Sequence, residues 1–381
     1  MVFISMQDGI MKIMNDTVQI YEMGHVKVVS AQYEAENEYM PVQYLVADGK
    51  DWKELVSSIH EISGVCAVFP RITAIATLQE SVIKHAVLWG IDIEAETALN
   101  HLNLANRDNG LVKGRYPAPD TNECAIGTVF AQKAGLGIGD RIPLKTVSAQ
   151  FSDRLWSPVI TGIFSFDYFK YDDQVIIADF RRLQRLLTLY EGTQQLIIFA
   201  DNEKQSPFIA AAAQTLLGPD SIATDWNENY WIAMQKINDK IYMAVFLIAL
   251  LLASFLIINT VVMIIHERIK EIGMMGSLGM TRAEIVSVFF FESLFLAAIG
   301  ALCGVVLGGL LTGILANFPI HMSDLYGNSL SEAPISNTIF FVFSFGRIVS
   351  AWVIGVIITS IITFFPSLKS VFVEPVEALR R

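Results

Sequence analysis

Three long apolar stretches constrain this chain more than any other feature. They run from Ile241 to Ile265, from Ile285 to Phe318 and from Phe340 to Leu368, and the only charged residues within them are Glu292 and Arg347. Each stretch reaches or exceeds the roughly 20 apolar residues that a helix needs to cross a bilayer core. Soluble proteins rarely bury helices of this kind, so the sequence predicts an α-helical membrane protein.

The composition agrees with membrane insertion of the C-terminal part. Of the 381 residues, 53% are hydrophobic and 17% are charged, and the mean hydropathy is +0.46. An average soluble chain carries fewer apolar and more charged residues. We therefore predict three complete transmembrane helices over about residues 241–265, 285–316 and 342–365.

Residues 1–240 have a different character. They carry 20 Lys and Arg against 30 Asp and Glu, which is a net charge of −10 out of −11 for the whole chain. Strand-like segments such as His25–Ser30 and Gln174–Ala178 alternate with helix-like segments such as Trp52–Glu61 and Phe180–Tyr190. The pattern predicts an α+β domain. Its acidity argues against a nucleic-acid partner, because phosphates require a basic surface.

The positive charges near the spans predict their orientation. Residues 319–337 contain neither Lys nor Arg, whereas the loop after the first span and the tail after the third carry Arg268, Lys270, Arg282, Lys369, Arg380 and Arg381. Short loops rich in Lys and Arg stay in the cytoplasm. The first loop and the tail are therefore expected inside the cell, and residues 1 to about 235 outside the cytoplasm.

Two helix-like segments flank the outer part of the chain. Apolar residues recur at helical spacing in residues 10–21 and again in residues 226–240, which enter the first span without a helix breaker. We interpret these segments as stalks. The predicted organisation is a remnant of a first transmembrane helix with its stalk (1–23), an extracytoplasmic domain (24–225), a second stalk (226–240) and a membrane domain (241–381).

The first five residues, MVFIS, carry a separate expectation. We interpret them as the outer end of a first, truncated transmembrane helix, because an exported domain normally follows a signal or a span. The alternative is that they begin a surface helix.

Motifs of catalysis and cofactor binding are missing from the sequence. No G-x-x-x-x-G-K-[ST] phosphate loop, H-E-x-x-H zinc motif or G-x-S-x-G hydrolase motif occurs. Gly135–Asp140 (GLGIGD) follows a helix-like segment and precedes a strand, so we predict a turn there and not a dinucleotide loop. We expect that the chain is not an enzyme and that it holds no cofactor and no metal.

The three cysteines are Cys66, Cys124 and Cys303, and their spacing matches no zinc or redox motif. We expect two free, buried thiols at Cys66 and Cys124. A disulfide between them is the alternative if the domain faces an oxidising compartment.

The loop after the first span carries the most specific motif. Residues 266–285 read HERIKEIGMMGSLGMTRAEI and resemble the E-R-x-x-E-I-G-x-x-x-x-x-G-x-[ST]-x-x-x-I signature of FtsX-like permeases. The matching residues are Glu267, Arg268, Glu271, Ile272, Gly273, Gly279, Thr281 and Ile285. The tail resembles the closing element of the same domain through Pro366, Ser370, Pro375, Val376, Glu377, Ala378, Leu379 and Arg380.

The outer part carries a weaker but broader resemblance to MacB-type periplasmic domains. The pattern is most similar to lipoprotein-releasing permeases of the LolC/LolE type. The short matches occur in the family's order and are Gly24–Val26, Pro70–Ile72, Gly90–Asp92, Gly114–Arg115, Ile126–Gly127 and Gly162–Phe164.

The resemblance implies a multi-pass permease subunit of an ABC transporter in the inner membrane of a bacterium. The implied partners are a dimer of cytoplasmic ABC ATPases, a second permease copy or sibling, membrane lipid, and a lipoprotein cargo or an outer adaptor. In such permeases the ATPases push a coupling helix and thereby move the outer domain, a scheme called mechanotransmission. We expect lipoprotein release; the alternative is a non-transporting transmembrane regulator of a cell-wall hydrolase.

The same resemblance assigns ATPase coupling to Glu267, Arg268, Glu271, Ile272, Gly273, Met274, Gly279 and Thr281. Arg268 and Glu271 are expected to bind charges on the ATPase. Ile272, Met274 and Met275 are expected to fill an apolar groove. Gly273 and Gly279 are expected to allow a sharp break from the span. The alternative is an ordinary helix on the membrane surface.

Polar and small residues within the spans each allow two interpretations. Close helix packing in lipid is expected at Gly300, Gly304, Gly308 and Gly313. For Glu292 we favour a structural bond near the cytoplasmic boundary over a proton relay. Arg347 is expected to reach the headgroups, with substrate contact as the alternative.

One aromatic segment of the outer domain is a further candidate. Phe164, Phe166, Tyr168 and Phe169 alternate with polar and acidic residues. They are expected either to form a surface for cargo or a partner, or to pack in the domain core.

Overall fold

The computed structural model describes residues 2–36, 39–47, 52–78, 83–98, 110–190, 192–318, 320–321, 338–339 and 341–370. The chain divides into two compact units. The membrane unit comprises Met1–Gly9, Gln235–Ile320 and Phe340–Arg381, and the α+β unit comprises Ile10–Met234 and His321–Ile339. Residues 371–381 of the predicted closing motif lie outside the described residues.

Helices and strands alternate through the first 225 residues. The helices are α1 (Val2–Thr17), α2 (Ala31–Ala35), α3 (Trp52–His60), α4 (Ile93–Ala98), α5 (Thr128–Ala134), α6 (Phe169–Gln174), α7 (Phe180–Leu186) and α8 (Ser206–Leu216). The strands are β1 (Val26–Ser30), β2 (Val65–Leu78), β3 (His85–Ile91), β4 (Leu111–Gly114), β5 (Glu123–Gly127), β6 (Leu144–Val147), β7 (Asp153–Trp156), β8 (Val159–Phe164), β9 (Val175–Asp179), β10 (Gln195–Ala200) and β11 (Ser221–Asp225).

Strands β1 to β11 form one mixed sheet. Its order is β11-β1-β10-β2-β3-β9-β5-β8-β4, with β6 paired to β2 and β7 paired to β6. Most pairs are antiparallel, but β3 with β9 and β5 with β8 are parallel. The predicted α+β domain is confirmed.

The middle of the sheet is covered on both faces, which explains its uninterrupted apolar strands. Every residue of β9 and β10 is buried. On β3, the neighbours Leu88 and Trp89 point to opposite faces and pack into different apolar clusters. The first cluster includes residues of α5 and α7, and a third cluster lies beneath α3 and α8.

The expectation of two free, buried thiols is confirmed for Cys124 and wrong for Cys66. Cys124 on β5 is buried and Cys66 on β2 is exposed, and both are free thiols. Side chains alternate between faces along a strand. Val65 and Ala67 point into the core, so Cys66 between them points away.

The predicted turn at Gly135–Asp140 is confirmed. Gly135 ends α5 in the left-handed conformation with φ 67°, and the backbone N–H of Gly137 donates to the Asp140 carboxylate over 2.8 Å. The segment is a turn between α5 and the strands that follow, closed by the hydrogen bond to Asp140.

The long helices follow in the second half of the chain. They are α9 (Tyr230–Glu267), α10 (Ile269–Ser277), α11 (Arg282–Asn317) and α12 (Phe345–Ser370), with two short strands, β12 (Ile320–His321) and β13 (Thr338–Ile339), between the last two. Within the described residues, α9, α11 and the Phe345–Phe364 part of α12 are long and apolar enough to cross a membrane, with mean hydropathies of 2.9, 2.5 and 2.0. The structure does not test the expectation that the first five residues are the outer end of a truncated first transmembrane helix, which stays a prediction.

Candidate functional site

The motif-bearing loop forms a short helix, α10, between the ends of two long helices. α9 ends at Glu267, and Arg268 leaves the helical conformation with φ −97° and ψ 16°. After α10, Gly279 has φ 93° and Thr281 caps α11 through a reciprocal pair of hydrogen bonds with Glu284. The sharp break before α10 is therefore at Arg268 and not at Gly273, which lies inside the helix; Gly279 does provide the break after it.

One face of α10 packs inside the membrane unit. Ile272 is only 5% exposed and forms an apolar cluster with Ile265 of α9 and with Ile285 and Phe289 of α11. Met275 packs partly buried against the same cluster. Ile272 is thus not available to fill a groove on another protein, contrary to the expectation, because the packing of three helix segments decides which face of α10 is inside.

The opposite face of α10 is exposed and combines charged with apolar side chains. It consists of Glu267, Lys270, Glu271, Met274, Ser277 and Leu278. Met274 is 55% exposed and Leu278 is 80% exposed. These positions recur at the three- and four-residue spacing that places side chains on one side of a helix. We call this surface the α10 face; Lys270 and Leu278 were not among the sequence candidates.

Arg268 and Glu292 bind each other. Nη1 of Arg268 donates to both carboxylate oxygens of Glu292, over 2.8 and 3.1 Å. The structural bond expected for Glu292 is present. The guanidinium of Arg268 therefore contacts α11. From the sequence, this side chain was expected to contact an ATPase instead.

The glycines of α11 differ in their surroundings. A Cβ atom at Gly309 would lie 3.3 Å from Cδ1 of Ile348 on α12, and one at Gly313 would lie 3.8 Å from the ring of Phe343. A Cβ at Gly300 or Gly304 would meet no atom of the described residues within 4 Å. Close packing within this chain therefore involves Gly309 and Gly313, whereas the face at Gly300 and Gly304 is open.

A lateral apolar groove of about 570 Å³ opens in the membrane unit. It is lined mainly by α9 and α12, with residues such as Leu250, Ile257 and Ile354. Arg347 lies at the groove and forms an ion pair with Asp8 of α1. The arginine therefore has a partner within its own unit.

The aromatic segment of the outer domain belongs to the core. Phe164, Phe166 and Tyr168 are at most 2% exposed, and the ring of Phe166 stacks on Tyr21 at a centroid distance of 4.5 Å. Phe169 is half-buried, with the Lys133 ammonium 5.0 Å from its ring centre. Of the two expectations for this segment, packing in the core is correct, because alternate residues face inward.

Asp172 ends this segment as a buried carboxylate. It accepts hydrogen bonds from the backbone N–H of Phe166 and from the Ser165 hydroxyl, both over 2.8 Å. Burial raises the pKa of Asp172 from 3.8 to about 7, although the hydrogen bonds oppose the shift.

The two chain segments that enter and leave the sheet pack together in the α+β unit. A π-helical turn, Val18–Met23, follows α1, and a 3₁₀ turn, Trp226–Glu228, precedes α9. The apolar residues in contact are Met14, Val18, Met23, Trp226 and Ile232. Nδ2 of Asn229 also donates to the Glu22 carboxylate over 3.4 Å, and burial raises the pKa of Glu22. We call this cluster the stalk junction; no sequence signal distinguishes a π-helical turn from an α-helix.

Potential metal ligands are dispersed. In the part of the chain that the structure describes, no group of three or more His, Cys, Asp or Glu residues could hold a metal ion.

The chain combines helices of membrane-spanning length, a short amphipathic helix that joins two of them, and a mixed-sheet α+β domain. Residues 243–375 match the family FtsX-like permease C-terminal. The chain thus carries an FtsX-like permease domain, and it is similar to ABC transporter permeases of the FtsX/MacB type and, over most of its length, to LolC proteins.

The individual relatives are distant. The lipoprotein-releasing system transmembrane protein LolC of Neisseria meningitidis is 18% identical over 356 residues, which cover 89% of this chain and 84% of that protein. The macrolide export ATP-binding/permease protein MacB of Agrobacterium fabrum is 28% identical over 138 residues, 36% of this chain and 19% of that protein. The crystal structure of the periplasmic region of MacB from Actinobacillus actinomycetemcomitans covers 58% of this chain and 98% of that structure, at 12% identity and a TM-score of 0.37.

Proposed function

We propose that this chain is the permease subunit that couples ATP hydrolysis by a cytoplasmic partner to movement of its outer domain, and that it releases lipoproteins from the bacterial inner membrane. The observation that carries the proposal is that the two faces of α10, within the FtsX-like domain, have different surroundings. One face is anchored to α9 and α11, and the other offers exposed Met274 and Leu278 among charged residues.

The α10 face is exposed and carries both apolar and charged side chains. Exposed apolar side chains surrounded by charges are typical of a protein–protein contact. The flanking Lys270 and Glu271 can form charge-assisted hydrogen bonds with a partner surface. A helix that only lay on the membrane would instead turn its apolar residues towards lipid and carry basic residues on its polar side. The α10 face holds Glu267 and Glu271, which anionic lipid repels.

The remaining assignments of the sequence analysis form part of the same proposal. Residues 24–225 are the extracytoplasmic domain, the segments 1–23 and 226–240 include its stalks, and residues 241–381 are the membrane domain with the α10 face in the cytoplasm. Two copies, or this chain and a sibling permease, bind a dimer of ATPases. Glu267, Glu271, Met274, Gly279 and Thr281 remain in the coupling role. Ile272 and Gly273 are buried in the membrane unit, and Arg268 binds Glu292. Similarity to LolC over 89% of the chain supports lipoprotein as the cargo.

Co-expression tests the proposal. The chain is produced with its genomic neighbours, purified in mild detergent and analysed for copurifying proteins. We expect a protein with a P-loop, whose ATP hydrolysis drives release of a lipoprotein from reconstituted vesicles. A stable, active complex that lacks any P-loop ATPase would refute coupling. Copurification of a cell-wall hydrolase, with lipoprotein release unchanged on depletion, would favour the regulator function instead.

A further inference from the structure

The ion pair between Arg268 and Glu292 lies at the point where three helices meet. Arg268 separates α9 from α10, and Glu292 belongs to α11. Both hydrogen bonds come from one guanidinium nitrogen of Arg268 and end on the Glu292 carboxylate, so the side chain of Arg268 contacts α11. The pair therefore connects the start of α10 to a helix that is remote in sequence.

Glu292 extends the contact stripe of α11. Ile285, Phe289 and Glu292 are spaced by four and three residues, so they lie on the same side of the helix. The first two belong to the apolar cluster that holds Ile272 of α10. Arg268 thus binds α11 about one turn beyond the point where the apolar contact ends.

The apolar contact and the ion pair have different mechanical properties. Burial of apolar surface is non-directional, so the cluster holds α10 near α11 but permits rotation and sliding. Charge-assisted hydrogen bonds depend on direction. The ion pair therefore fixes the angle at which α10 leaves α9 relative to α11.

We propose that Arg268 and Glu292 are positioning residues that pass a displacement of α10 to α11. This role rests on the coupling function proposed above and deepens it, because it separates the residues that bind the ATPase from those that transmit its movement. The α10 face binds the ATPase, and the Arg268–Glu292 pair transmits its movement to α11. A chain without the pair keeps its ATPase and loses the response of α11.

The test uses the complex of the full chain with its P-loop ATPase in lipid nanodiscs. Hydrogen exchange of the permease is compared between the ADP state and the ATP-trapped state for the wild type, Arg268→Gln, Glu292→Gln and the charge swap Arg268→Glu/Glu292→Arg. The wild type should change exchange in α10 and in the first turns of α11. Each single variant should retain the ATPase and the change in α10 but lose the change in α11, and the charge swap should regain it.

Two control variants separate this inference from the proposed function. Arg282→Gln removes an exposed arginine of the same loop and should leave both responses intact. Met274→Asp places a charge on the α10 face and should abolish capture of the ATPase. Retention of the ATPase by the single variants also reports that α10 is folded.

Three results would overturn the role of the pair while leaving ATPase coupling in place. The first is a normal α11 response in both single variants. The second is loss of the ATPase in Arg268→Gln, with no recovery in the charge swap, which would mean that Arg268 contacts the ATPase directly. The third is a wild-type response confined to α10. If the wild type captures no P-loop ATPase, the proposed function itself is refuted.

Discussion

Two neighbouring positions on α10 provide the sharpest test of which face meets the ATPase. Ile272 is 5% exposed and packs against Ile265, Ile285 and Phe289, whereas Met274 is 55% exposed. The perturbation is the same at both positions, truncation to alanine. The two substitutions should separate stability from binding.

The structure sets the expected magnitudes. Truncation of a buried Ile removes apolar contact and leaves a cavity, which costs about 2–5 kcal/mol. We expect about 2 kcal/mol for Ile272→Ala, the lower end, because its cluster is small and can partly collapse. Met274→Ala should change the free energy of unfolding by less than about 0.5 kcal/mol, as substitutions at exposed sites do. In binding, an apolar anchor contributes about 1–2 kcal/mol, so Met274→Ala should weaken ATPase affinity about 5- to 30-fold.

Both quantities can be measured on the same preparations. Thermal unfolding in detergent reports stability, and titration of the ATPase onto the permease in nanodiscs reports affinity. Glu61→Lys, an exposed charge change in the α+β unit, is the control for both assays. Unchanged affinity in Met274→Ala, combined with unchanged stability in Ile272→Ala, would mean that the two faces have been assigned the wrong way round.

Three further predictions concern other parts of the chain. Burial raises the pKa of Asp172 to about 7, so the Asp172 carboxyl binds a proton more tightly in the folded protein than in the unfolded chain. The free energy of unfolding should therefore fall as pH rises from about 4 to about 7. Asp172→Asn should flatten that slope in thermal unfolding at pH 5 and pH 8. Gly309→Val should destabilise the contact of α11 with α12 by about 1–3 kcal/mol, whereas Gly300→Val should not change the unfolding temperature of the single chain; equal effects would contradict the assigned packing. Trp226→Ala should cost about 3–5 kcal/mol at the stalk junction and speed amide exchange in residues 10–23; unchanged exchange there would contradict a shared cluster.

Much of the fold could be predicted from local sequence. The apolar stretches predicted helices because their length satisfies a bilayer requirement that does not depend on neighbours. Gly135–Asp140 was predicted as a turn because left-handed glycines and a closing aspartate act within a few residues. These features are determined by residues that are close to one another in the sequence.

The errors concern features that depend on distant contacts. Ile272 and Met274 are both apolar residues of one amphipathic helix, and only the positions of Ile265, Ile285 and Phe289 decide that Ile272 is inside. Arg268 has a partner that lies far along the chain, so its local motif could not reveal it. The alternation of the aromatic segment suits a surface strand as well as a core strand, and burial against Tyr21 decides between them.

The composition of α9 bears on how a displacement of α10 is transmitted. Its 38 residues run from Tyr230 to Glu267 without a proline or a glycine, two residues at which helices often kink. Arg268 is the first residue at which the backbone leaves the helix, and it is also the residue that Glu292 holds. The interruption between α9 and α10 therefore lies at one residue, and the ion pair holds that residue against α11. In the proposed mechanism a displacement of α10 cannot be absorbed at this position, so α9 and α11 must share it.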